Sequence, residues 1–73
     1  MQPYNSHQWL NIATAGIVSP KERESARQEL SDHMEDHCDA LMAAGLPRGQ
    51  AQQQAVYAMG DPAEVGKRLR KAH

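Results

Sequence analysis

Apolar side chains recur along this chain at intervals of three and four residues, and no stretch alternates apolar with polar at period two. That spacing predicts helices without a sheet. Local punctuation sets their ends. Ser19-Pro20-Lys21-Glu22 offers a cap hydroxyl, a first-turn proline with no N–H to waste, and a Glu able to reach back to the cap. Asp61-Pro62-Ala63-Glu64 repeats the device. Gly45 and Gly60 stand where a left-handed residue closes a helix, and Pro47 starts the next element at once. The expected elements are four helices, about Ser6 to Ala15, Pro20 to Ala44, Leu46 to Met59 and Pro62 to Ala72. The fold class is therefore all-α: one small bundle of about four helices over residues 1–73, with short connections and the second helix longest.

At 100° per residue, Ala26, Leu30, Met34, His37, Leu41 and Ala44 gather on one face of the second helix, with Asp32, Glu35, Asp36 and Asp39 on the other side. The third helix collects Ala51, Ala55, Ala58 and Met59 into a narrow, small-residue stripe. Val65 and Leu69 give the fourth a short apolar edge, and Trp9, Leu10, Ala13 and Ile17 do the same for the first. Phenylalanine is absent, so aliphatics, methionines and one indole must build the core. Alanine stripes let helix axes approach closely, and packing should rest on short interaxial distances. Such stripes read as core rather than as a cofactor box, and no cofactor is expected.

Size narrows the function. Seventy-three residues make one domain near the lower limit of an unaided core, burying roughly 60–65% of the unfolded surface. Little room is left for a deep substrate pocket, which disfavours an enzyme. The net charge of −1 argues against a simple nucleic-acid binder. The single cysteine, Cys38, permits no internal disulfide and fits a reducing compartment. No apolar run approaches the ~20 residues that span a bilayer, and no basic-then-apolar signal opens the chain. A cytoplasmic chain is the expectation.

The stretch "HMEDHC", residues 33 to 38, has the look of a metal site on a helix. His33 and His37 lie one turn apart, as helical zinc ligands would. Zinc, however, needs three or four ligands converging at ~2.0–2.3 Å. Cys38 sits 100° round from His37 and should point towards the other flank, so the three do not converge. "HMEDH" also departs from the metalloprotease H-E-x-x-H, because the acid follows the methionine. A third ligand would have to come from His7, His73, Asp61 or Glu64. His37 falls in the middle of the apolar face and is expected to be a core or interface histidine, while His33 flanks it and can cap or bridge to another helix. Catalytic sets fare no better. Acids beside Cys38 are the wrong surroundings for a nucleophilic thiolate, and Ser19, Ser25 and Ser31 have no base with an orienting partner. "AGLPRGQ" lacks the lysine–hydroxyl pair of a phosphate loop.

Charge says more. Glu29, Asp32, Glu35, Asp36 and Asp39 make the second helix acidic, and Lys67, Arg68, Arg70 and Lys71 make the last turns basic. One reading is a solvated helix whose cations complement its own dipole and the acidic helix. The sharper one makes "KRLRK" a membrane-proximal segment, with each cation worth ~1 kcal/mol against anionic lipid.

The segment "QELSDHMEDHCDALMAAGLPRGQAQQQAVYAMGDPAEVGKRL" runs Glu-Leu, a His three after the Leu, a Gly-Leu turn, alanines at helical spacing, Gly-Asp-Pro and a last helix with spaced aliphatics. In that order and spacing it resembles the bacterial permease prefix domain, related to the HAAS-type helical signalling domains. The matching positions are Glu29, Leu30, His33, Gly45, Leu46, Ala51, Ala55, Gly60, Asp61, Pro62, Val65 and Leu69, with Trp9 on an upstream helix a feature of some members. The resemblance implies a small cytoplasmic all-α module ahead of a polytopic membrane domain, in a permease or a rod-shape or cell-division type protein. It also implies a signalling or regulatory role, no catalytic residues, and a His33 that belongs to the fold. The chain stops at His73 with no membrane span after it, so an excised domain is the leading expectation, with a free-standing version as the alternative. With a span after it, the positive-inside rule sets "KRLRK" at the inner face of the membrane.

The leading expectation is thus a non-catalytic regulatory or protein-interaction module. It would dock by a helix face onto its own membrane domain, a copy of itself or another protein, with Trp9 and Tyr57 as candidate contacts and an anionic membrane surface within reach. The alternative is a helix-turn-helix in which "AAGLPRGQAQQQA" supplies turn and recognition helix, and Gln50, Gln52, Gln53 and Gln54 address bases. Against it, Arg48 is the only basic residue there, and phosphate contacts dominate such affinity. A zinc-stabilised domain ranks third.

Overall fold

The computed structural model describes residues 5–72. Four helices follow in chain order: α1 (Ser6–Thr14), α2 (Pro20–Ala43), α3 (Arg48–Met59) and α4 (Pro62–Ala72), with no strand among the described residues. At 1.5 Å per residue, the 24 residues of α2 span nearly the whole 39 Å long dimension of the molecule.

The ends lie where local chemistry puts them. Asn5 and Gln8 form a reciprocal capping box at α1: the Asn5 side chain accepts from the Gln8 N–H at 2.8 Å and the Asn5 N–H donates to the Gln8 side chain at 3.2 Å. Ser19 Oγ accepts from the Glu22 N–H at 3.4 Å at the head of α2, and the Asp61 carboxylate accepts from the Ala63 N–H at 2.9 Å at the head of α4. Helix α2 closes in a Schellman motif. Gly45, at φ 109°, donates to Met42 O and Leu46 donates to Leu41 O, which uses two orphan carbonyls of the last turn. Leu46 is spent on that closure, so α3 begins at Arg48, two residues later than expected, with Pro47 as its extended N-cap.

Helices α2 and α3 form an antiparallel hairpin, and α1 packs against both while carrying α4 on its other side. The core is Trp9, Leu10 and Ala13 of α1, Met34 and Cys38 of α2, and Ala51, Ala55 and Val56 of α3. Leu30, Leu41, Leu46, Met59 and Val65 close its rim. Every apolar position expected on α1 is buried, Ile17 included. Thr14 is buried with them, its hydroxyl donating to Leu10 O at 2.8 Å. On α2 the expected face is corrected by one position. Cys38 faces inward and His37 is exposed, because the seam Ala26, Leu30, Met34, Cys38 advances in steps of four. Of the two neighbours the packed seam takes the thiol, the more apolar side chain, and leaves the imidazole in solvent. Ala44 and Ala58, also expected inside, are exposed.

Two contacts set α1 on α4. The buried Trp9 indole N–H donates to the Gly60 carbonyl at 2.8 Å, across the turn that starts α4. Gly66 is so close to α1 that a Cβ there would meet the Ala13 carbonyl oxygen at 3.1 Å. On the opposite side of α1, Arg27 of α2 reaches Asn11 Oδ1 and donates to His7 Nδ1 at 2.9 Å. Arg23 donates to the Ile17 and Val18 carbonyls beyond the end of α1.

Trp9→Phe keeps an aromatic in the core but strands the Gly60 carbonyl, and should destabilise by about 1–3 kcal/mol. A lower urea midpoint at unchanged slope is the expected result, and an unmoved midpoint would remove this bond from the account. The glycines give a paired test. Gly49 in α3 has open space around its Cβ position, so Gly49→Ala should gain up to ~1 kcal/mol of helix propensity. Gly66→Ala should instead lower stability, because the new methyl pushes α4 off α1. Thermal melts of the two variants should move in opposite directions.

Candidate functional site

The "HMEDHC" side chains diverge. His33 and His37 are exposed on the outside of α2, whereas Cys38 lies under 10% exposed in the core, at 7%. Among the described residues no group of three or more His, Cys, Asp or Glu side chains is placed to hold a metal ion. His7, named as a possible third ligand, is held by Arg27, and His73 lies outside the described residues.

What the structure does build is a groove where α1, α2 and α3 meet, with a volume of about 210 Å³. Its floor is the buried surface of Leu10, Met34, Cys38 and Ala55. Glu35 and Asp39 stand exposed along the α2 wall, and Arg48 and Gln52 along the α3 wall. Small-molecule sites generally occupy ~300–1,000 Å³, so this groove suits a protruding side chain better than a whole metabolite. Sequence reasoning missed it. The sequence places the acids of α2 away from its apolar face, and nothing in it says that α3 sets Arg48 opposite them.

Charge is sharply divided over the surface. Glu29, Asp32, Glu35, Asp36 and Asp39 are all exposed, and no cation among the described residues pairs with any of them. Asp32 accepts from the Gln28 side-chain amide at 2.9 Å. Across the molecule, Lys67, Arg68 and Lys71 are exposed on α4 and line a shallow hollow with Glu64, which pairs with Lys67 at 3.6 Å. The side of α4 turned to α1 carries Gly66, buried, and Val65 and Leu69, half-buried. Arg70 lies on the same helix.

The other singled-out residues sort by burial. Trp9, expected as a contact for a partner, is 0% exposed and serves the core, because its indole is the largest apolar group the chain has to bury. Tyr57 is 66% exposed and free to meet a partner. Of the family-pattern positions, Ala51 and Ala55 are wholly buried, Leu30 is half-buried and Pro62 is buried. Gly45 and Gly60 take φ of 109° and 90°, and Asp61 caps α4. Gln50, Gln52, Gln53 and Gln54 are exposed on α3, but Arg48 shares its groove with Glu35 and Asp39. A phosphate backbone approaching there meets carboxylates, which weakens the recognition-helix reading on electrostatic grounds.

The fold and surface define a small four-helix all-α domain in which, among the described residues, no helix is long and apolar enough to cross a membrane. The chain matches no family model, no curated protein and no solved structure.

Because neither imidazole faces the core, His33→Ala with His37→Ala should change stability by no more than about 0.5 kcal/mol. Zinc added to the original chain should leave its thermal midpoint where it was. A midpoint raised by zinc, and sensitive to this double substitution, would restore the metal reading.

Proposed function

We propose that this domain is a non-catalytic regulatory docking module at the cytoplasmic face of a bacterial membrane. In this reading it is the N-terminal part of an integral membrane protein of permease-like or rod-shape and cell-division type. The observation that carries the proposal is the two-sidedness of α4. Val65, Gly66 and Leu69 turn towards α1, while Lys67, Arg68 and Lys71 point outward from a helix that the rest of the domain holds in place. A fixed row of cations meets an anionic surface without first losing backbone freedom, and each is worth ~1 kcal/mol within a Debye length of such a surface.

The order of motifs from Glu29 to Leu69 supports a module of the permease prefix kind. A groove with an apolar floor and charged walls supports the docking of a protruding side chain. Exposed helix faces then serve the downstream membrane domain or a soluble partner, with Tyr57 as an aromatic contact.

Co-sedimentation with lipid vesicles tests the carrying observation. The chain should bind vesicles containing phosphatidylglycerol, release from them as salt rises, and ignore purely zwitterionic vesicles. Lys67→Glu, Arg68→Glu and Lys71→Glu together should weaken binding at least about 100-fold, the loss of three cations at ~1 kcal/mol each, with repulsion of the new carboxylates adding to it. Failure to bind the anionic vesicles, or equal binding to both kinds, would count against the membrane-facing reading.

A further inference from the structure

We infer that the groove between α1, α2 and α3 receives the basic end of α4 from a second copy of this chain. The inference deepens the docking reading by naming a partner, and it starts from an imbalance that the fold leaves open. From Gln28 to Ala43, α2 carries five acids, Glu29, Asp32, Glu35, Asp36 and Asp39, and no lysine or arginine. Those acids run towards the C-terminal, negative end of the helix dipole, and no basic residue occupies the last turn to offset it. Within one copy nothing described neutralises them. The matching excess is on α4, where Lys67, Arg68, Arg70 and Lys71 stand against Glu64 alone.

Spacing makes the two faces complementary rather than merely opposite in sign. Glu35 and Asp39 are one helical turn apart on the groove wall, and Lys67 and Lys71 are one turn apart on the exposed side of α4. Both intervals are about 6 Å along a helix axis. The apolar floor of Leu10 and Met34 suits the methylene stems of lysine, whose ammonium groups then reach the carboxylates at the rim. Arg48 lines the facing wall without pairing with Glu35 or Asp39, so it keeps incoming cations on the α2 side. If a two-fold axis relates the copies, each α4 fills the other's groove and the assembly closes as a dimer. The cations that serve a second copy are then withdrawn from a bilayer, which makes the two dockings alternatives.

Sedimentation equilibrium of the 73-residue chain, at low and high ionic strength, tests this directly. The chain should show a concentration-dependent dimer at low salt that dissociates near 1 M salt, where the Debye length is about 3 Å. Glu35→Lys with Asp39→Lys should weaken the dimer at least about tenfold, as should Lys67→Glu with Lys71→Glu. All four positions are exposed, so helicity by circular dichroism should stay intact. Mixing the two double variants should recover the dimer, since each then supplies the charge the other lacks. A chain that stays monomeric at low salt, or variants that associate as the original does, would overturn the inference. The Glu35→Lys, Asp39→Lys variant leaves α4 untouched and should still bind anionic vesicles, so loss of self-association and loss of membrane docking are read separately.

Discussion

The hydrogen bond from the Trp9 indole to the Gly60 carbonyl is the constraint from which the rest of the architecture follows. Helix α1 has nine residues, too few to persist alone in water. It is helical because it is gripped on two sides. Trp9 and Ala13 meet the start and middle of α4, and Arg27 of α2 holds Asn11 and His7 on the other side. Placing the one indole at the centre also solves a problem of composition. A chain without phenylalanine fills its core with one large ring, three alanines and a few aliphatic and sulfur side chains, and such a core closes only when the helices come near one another. Gly66 against the Ala13 carbonyl is the limit of that approach.

Close packing of this kind leaves the acids from Glu29 to Asp39 outside, with no cation among the described residues paired to them. In a bundle whose inner faces are spent on cohesion, binding has to use outer faces and the seams between helices. The groove is such a seam, with apolar atoms at its base because Met34 and Cys38 face inward, and carboxylates at its edge because Glu35 and Asp39 follow them on the same helix. The basic side of α4 is free for a related reason. That helix touches chiefly α1, and one flank of small and aliphatic residues suffices for the contact.

Much of this was legible residue by residue. Ser19-Pro20 and Asp61-Pro62 marked the starts of α2 and α4, and Gly45 closed α2 as expected. The Asn5-to-Gln8 capping box also stood in the sequence, as an Asn followed three residues later by a Gln, and went unread. The candidate site was less legible. His37 and Cys38 are neighbours on α2, about 100° apart, and the rotation of the helix about its axis decides which is buried. Periodicity favoured the histidine, whereas the packed seam took the thiol. Trp9 is expected on the apolar edge of α1 and also as a candidate contact, since an indole has the same apolar area to bury in the core or against a partner.

The amino-acid sequence by itself determined the helices, their approximate limits, the run of acids from Glu29 to Asp39 on α2 and the excess of bases on α4. These depend on caps, turn residues and spacings that act within a few positions of one another. The tertiary structure alone decided the rotation of α2, the burial of Trp9 and the meeting of Arg48 with Glu35 and Asp39 around one groove. Each of those joins residues from different helices, and the choice among rotations rests on how whole surfaces fit at close range.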